Sequence, residues 1–384
     1  MLKKIFHTHL ILVFLIMFSC RDPFEPKLRD IPTEVLVVEG YIEVEGESFI
    51  RLSKTVPVRS TQASPVITGA KLSLLNSNNG RWDFVEKEEG IYSLIGNFPP
   101  FDSYQLQIEL PGAKVYRTEN LQPVVSPEIE ELGFVRDQNG VEIFVSTRGN
   151  DQAQYFLWTY QEHWIFRPGV ISRLIFENGL VRFREEDERI DLCWNNNLNP
   201  KIVLQNAARF EDNRILQREL VLIPNNSEKL TERYSIEVKQ MAINQEAFDF
   251  WEILRKNSDD IGGIFSPLPS LIRGNIYNVS DEGEPVIGYI SMGKSATKRI
   301  YIDINDVFPW PVFIPEYEFC RISFQDTIPP TDKAIFEAFG RGDRMPARDL
   351  RASNGEIIGY FGAPTQCVDC TLRGTNVRPE FWED

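Results

Sequence analysis

From Glu34 onward the chain is written in short β-branched and aromatic segments cut by turn residues. That spacing admits little except packed antiparallel sheets. Glu34–Val44 (EVLVVEGYIEV), Ser48–Lys54, Gly69–Asn76, Arg81–Lys87, Gly90–Gly96, Ser103–Leu110 and Ala113–Glu119 each read as a strand. Lys87-Glu88-Glu89-Gly90 and Pro111-Gly112 supply turns between neighbours, because glycine and proline reach turn geometries at low cost. The pattern predicts a mainly β protein, opening with a β-sandwich over residues 32–122.

Gln122–Pro127 reads as a linker, and residues 123–384 are expected to form a second β-rich domain. Val141–Thr147, Leu216–Pro224, Arg233–Ile243, Val286–Gly293 and Arg299–Asn305 carry the strand signals there. In Tyr155–Phe166 the residues Phe156, Trp158, Tyr160, Trp164 and Phe166 fall on one face at period two. Core packing between two sheets is the simpler reading of that face, and sugar stacking the sharper one. A helix is expected near 244–257, with Asn244 as its cap and Ala247, Phe250, Trp251 and Leu254 as its apolar stripe. Thr331–Phe339 reads as a second, shorter helix.

The N-terminus has the order of an export signal. Lys3 and Lys4 precede the apolar run Leu10–Phe18, and Ser19-Cys20 closes it. The run is too short for a bilayer-spanning helix, which needs about 20 apolar residues. A cysteine at that place predicts a lipoprotein: residues 1–19 are the signal peptide, Cys20 the lipidation site, and residues 20–31 a proline-interrupted tether. The membrane is then a partner through the lipid anchor.

The net charge of −15 disfavours nucleic acid and anionic headgroups, both of which need basic surface. Besides Cys20 there are Cys193, Cys320, Cys367 and Cys370. In an oxidising compartment an even number predicts disulfides, and three pairings exist. The simplest joins Cys193 to Cys320 and closes Cys367–Cys370. A redox pair or a four-cysteine zinc site fits these spacings less well.

Histidine limits the chemistry. Of three, His7 and His9 lie in the signal, leaving His163 on the strand face opposite the aromatics. A site built on two histidines is therefore excluded from the mature chain. No nucleophile elbow, phosphate loop or dinucleotide fingerprint occurs, so no catalytic residue, metal or cofactor is assigned. Asp303-Ile304-Asn305-Asp306 lacks the glycine and closing glutamate of a calcium loop. Trp310, between Pro309 and Pro311, is expected in an exposed loop, where an aromatic can serve binding, and is a candidate partner contact. In the closing segment Arg373, Asn376, Arg378, Phe381 and Trp382 are interface-forming residue types. They are candidate partner contacts, with packing against their own domain as the alternative.

The run Val66–Leu72, then Gly90-Ile91-Tyr92 and Tyr104-Gln105-Leu106, is similar to prealbumin-type or carboxypeptidase regulatory-like sandwiches. Over the whole mature length there is a further resemblance. It is carried by Val37-Val38-Glu39-Gly40, Cys193-Trp194, Arg233-Tyr234-Ser235-Ile236, Phe250-Trp251, Gly263-Ile264-Phe265, Gly274-Asn275-Ile276, Pro285–Tyr289 and Cys367–Trp382. In that order they resemble a family of Bacteroidota outer-membrane lipoproteins known as a domain of unknown function. The resemblance implies genes beside TonB-dependent receptors, and hence a non-enzymatic accessory of such a receptor at the outer membrane, on its periplasmic or cell-surface face. A free-standing lipoprotein that binds glycan or peptide or acts in adhesion is the alternative, and a carboxylate-based glycosidase a third.

Overall fold

Leu36–Glu43 is the central strand of the N-terminal half. It pairs antiparallel with Glu45–Lys54, and on its other side parallel with Val286–Ile287 and Ser291–Lys294. The structure is a computed structural model and describes residues 34–56, 63–198, 201–259, 273–322 and 326–383. Cys20 and the Gly263–Phe265 part of the family pattern lie outside the described residues.

The sheet built on Leu36–Glu43 also takes in Ile91–Asn97, Val85–Glu88 and Val124–Val125. A second sheet, ordered Ile276–Asn278, Val115–Thr118, Tyr104–Glu109, Lys71–Asn76 and Arg81–Asp83, packs on it. Val38, Ile42, Ile50 and Leu52 from one sheet and Leu72, Leu74, Leu106 and Ile108 from the other share one buried core. This is the expected β-sandwich, with an addition. The boundary expected at 122/123 is crossed by residues 274–294, which return to complete both sheets.

That return depends on two glycines and an asparagine. A Cβ on Gly274 would lie 1.5 Å from the Gly288 carbonyl oxygen, and one on Gly288 would lie 2.0 Å from the Val38 carbonyl oxygen. Only glycine permits such backbone approach. The Asn275 side chain is buried, donates to the Ile290 carbonyl at 2.8 Å and accepts from the Ile290 amide at 2.9 Å. The Gly274-Asn275-Ile276 and Pro285–Tyr289 parts of the family pattern are therefore parts of one fastening.

The second sandwich packs the sheet of Ile129–Arg136, Gly140–Arg148 and Arg214–Pro224 against that of Cys193–Leu198, Tyr155–Phe166, Arg233–Ile243 and Ala296–Asp303. All five expected aromatics of Tyr155–Phe166 are buried in its core. Trp158 donates its indole N–H to Gln240 at 2.9 Å and stacks on Phe156. Gln240 in turn donates to the carbonyl of Pro127 in the linker. Glu43 of the first sandwich meets Lys239 of the second at 2.6 Å and accepts from the Ser295 hydroxyl.

The helix near 244–257 runs from Gln245 to Asp259, with the Asn244 side chain accepting from the Ala247 amide. Thr331 caps the helix Asp332–Phe339. That helix packs with the hairpins Leu174–Glu177/Leu180–Phe183 and Arg344–Arg351/Ile357–Pro364 around two small apolar clusters beside the second sandwich.

All four cysteines are paired, but crosswise to the simplest expectation. The bonds are Cys193–Cys370 and Cys320–Cys367. The short helix Thr365–Val368 and the following turn Cys370–Leu372 explain this. They aim Cys367 into the cluster with Val170, Ile190 and Ala363, and Cys370 into the core of the second sandwich. The two thiols thus serve different cores.

Candidate partner-binding surface

Trp310 corrects the sequence reading. It is only 7% exposed. Its indole N–H donates to the Ser227 carbonyl at 2.9 Å, and the Arg136 guanidinium lies 4.9 Å from its ring. The flanking prolines restrict the backbone but do not decide burial. What Trp310 does is anchor a loop whose other apolar side chains face water. Phe308 is 76% exposed and Phe319 86%, with Val312 and Phe313 also exposed. The base of the loop is held at Val312 by a bridge to Asn226, and its far end by Cys320–Cys367. Four large apolar side chains of one short loop are thus left in water.

The closing segment lies on its own domain. Arg373 makes a two-pronged pair with Glu228 at 2.9 and 2.8 Å, its guanidinium set over the rings of Phe166 and Tyr317. Asn376 donates to the Arg189 carbonyl, and Arg378 to the Trp382 carbonyl. Trp382 is buried between Trp194 and Tyr301. Phe381 lies under the Arg299 guanidinium at 3.9 Å and accepts from the Tyr301 hydroxyl through its carbonyl. The tail is a strap over the outer face of the sheet, and these side chains are engaged within the chain.

His163 is covered by that strap. Its ring meets Phe381 at 4.6 Å, and its Nδ1 is buried without a hydrogen-bond partner. Burial, then Arg299, holds its pKa below the ordinary imidazole value, against the pull of Glu237. The unfolded chain therefore takes up a proton more readily than the folded one as pH drops below about 6.5. The stability from a neutral His163 is complete above that pH and is lost as pH falls through the lowered folded value. Urea midpoints at pH 7 and pH 5 should fall further for the wild type than for His163→Leu. Equal falls would remove His163 from the effect.

Asp303 and Asp306 cap the short helix Ile304–Val307 reciprocally, and Asp303 also pairs with Arg233 at 2.9 Å. Among the described residues no group of three His, Cys, Asp or Glu is placed to hold a metal.

One group escaped the period-two reading. Glu162 stands on the aromatic face between Tyr160 and Trp164 and is 1% exposed. Lys229 meets both its oxygens, at 2.7 and 2.8 Å. The Tyr234 hydroxyl donates to it at 2.8 Å and Asn197 at 3.0 Å. Burial, then Glu162, pushes the Tyr234 phenol well above its usual value, so Tyr234 stays a donor. A polar letter in an apolar alternation was the available signal. Its partners, distant in sequence, were not readable.

The profile of a family described as a domain of unknown function, DUF4249, matches residues 21–299. No protein of curated function matches the chain. Among solved structures, a two-domain fibronectin type III segment from chicken tenascin is 10% identical, over 54% of this chain and 91% of that one, with a TM-score of 0.17. A structure titled as manganese lipoxygenase of Gaeumannomyces graminis with partial zonadhesin of Komagataella pastoris is 6% identical. It covers 56% of this chain and 91% of that one, with a TM-score of 0.14.

Proposed function

This chain belongs to the DUF4249 family, and on that footing we propose that it is a lipid-anchored outer-membrane protein acting by contact with a TonB-dependent receptor and not by catalysis. The anchor is Cys20, behind an export signal. The observation that carries the reading is the loop of Phe308, Val312, Phe313 and Phe319, exposed on a backbone fixed by Trp310 and a disulfide. Aromatic side chains held on a rigid loop bury large area on binding and lose little conformational freedom.

The reading is tested by capture from detergent-solubilised native outer membrane. The intact protein is expected to enrich a TonB-dependent receptor. Phe308→Ser/Phe313→Ser/Phe319→Ser should reduce that enrichment by about 10- to 100-fold, with little change in melting temperature, since these side chains are exposed. If the intact protein enriches no such receptor, the proposal is wrong.

A second reading has its own observation. The outer face of the first sheet carries an open groove of about 500 Å³ lined by Glu39, Phe49, Arg51, Lys87 and Ile91. An aromatic floor with charges of both signs suits a peptide or glycan. Retention of the protein on immobilised glycan, lost in Phe49→Ala, would favour this reading over the receptor.

A further inference from the structure

The Glu162 network has the composition of a reaction centre. Lys229 brings an amine, Asn197 a carboxamide, and both hydrogen-bond the same oxygen, Oε2 of a buried carboxylate. The parts are held from several sides. Antiparallel register sets Glu162 directly opposite Asn197. Lys229 sits on the turn Glu228–Leu230, where Glu228 is gripped by Arg373, Leu230 is fully buried, and the Ser227 carbonyl receives the Trp310 indole. The Trp164 ring lies 5.2 Å from the Lys229 nitrogen. Asn197 itself stands at the exposed rim.

We propose that Lys229 and Asn197 join in an intramolecular isopeptide bond, with Glu162 carrying the protons. Glu162 takes a proton from the Lys229 ammonium, giving a free amine and a carboxylic acid. The amine nitrogen attacks Cγ of Asn197 while the Glu162 acid donates to the amide oxygen. Glu162 next moves a proton from the attached nitrogen to the departing one. The old Cγ–N bond breaks, ammonia leaves at the exposed rim, and it carries away the remaining proton as ammonium. One C–N bond forms and one breaks, nothing is oxidised or reduced, and Glu162 ends as a carboxylate. Fixed proximity replaces the activated acyl group that amide formation otherwise needs, since effective molarities in such arrangements are very high. Exclusion of water from Glu162 keeps its proton within the centre. The product ties the edge strand Cys193–Leu198 to the turn before Arg233–Ile243, straddling the Tyr155–Phe166 strand that lies between them.

The test is peptide mapping of the purified full mature protein after reduction. The expected result is a branched peptide containing both Asn197 and Lys229, lighter than its two linear parts by one ammonia. Lys229→Arg keeps a cation against Glu162 and removes the nucleophile, and Asn197→Ala removes the acceptor at an exposed position. Each should abolish the branched peptide while circular dichroism and both disulfides are retained. Recovery of Lys229 and Asn197 only in linear peptides from folded wild-type protein overturns the proposal. So does an ammonia loss that persists in Lys229→Arg, because succinimide formation at asparagine gives the same mass change.

Discussion

Replacing Cys193 and Cys370 with serine should lower the unfolding free energy by about 4–5 kcal/mol and release the C-terminal strap. The bond spans 177 positions, and Cys320–Cys367, spanning 47, lies inside it. In the chain-entropy account, a crosslink acts by narrowing the unfolded ensemble, and the loop length enters only as a logarithm. With the inner bond intact, the outer one still closes the longer loop. Its loss should therefore cost about 1 kcal/mol more than loss of Cys320–Cys367. The structural part of the effect is local. Cys370 fixes the turn from which Arg373 reaches Glu228 and Trp382 reaches its seat between Trp194 and Tyr301. Urea titration without reductant measures the first effect, and a red shift of tryptophan emission below the transition measures the second. A stability loss under 1 kcal/mol with unshifted emission would show the strap to be held by packing alone.

Trp158→Ala should cost about 3–5 kcal/mol, the range for removing a large aromatic from a closed core. Trp158 is fully buried among the side chains of both sheets of the second sandwich. The change also leaves the Gln240 side-chain oxygen without its donor, and a buried unsatisfied acceptor carries its own penalty. Because Gln240 also binds the Pro127 carbonyl, the loss extends to the linker between the sandwiches. Trp158→Phe should destabilise less, since it keeps most of the apolar volume and forfeits only the indole N–H. Chemical denaturation of the two variants separates the contributions. Equal losses would mean that the hydrogen bond, and not the volume, dominates.

Local pattern carried much of the fold. Period-two alternation in Tyr155–Phe166 predicts both its strand and its buried face, because side chains of a strand alternate by geometry alone. Asn244 predicts a helix start for an equally local reason, a side-chain oxygen within reach of the first free amides. What depended on distant partners was hidden. Trp310 is buried because Ser227 and Arg136 receive it, which no neighbouring residue reveals. Cys367 and Cys370 are close in the chain, yet an intervening turn points them into separate cores. Strand signals at Ile276–Asn278 and Ser291–Lys294 say that strands form, not which sheet they join. In the proline-flanked segment Phe308 and Phe313 face water while Trp310 is buried, and nothing in the local pattern tells one aromatic from the other.

The return of residues 274–294 to the first sandwich also bears on the order in which the molecule assembles. Leu36–Glu43 leaves the ribosome early, but its parallel partners follow 250 residues behind, Val286 for Leu36 and Ser291 for Tyr41. Until they arrive, one flank of that strand has only unpaired amides and carbonyls, a template for pairing with another chain. Contacts this remote in sequence close slowly. The N-terminal unit must therefore wait, half-finished and aggregation-prone, until most of the second sandwich has been synthesised. A chain with this connectivity calls for a holding chaperone on its route more than a single-pass sandwich of equal stability would.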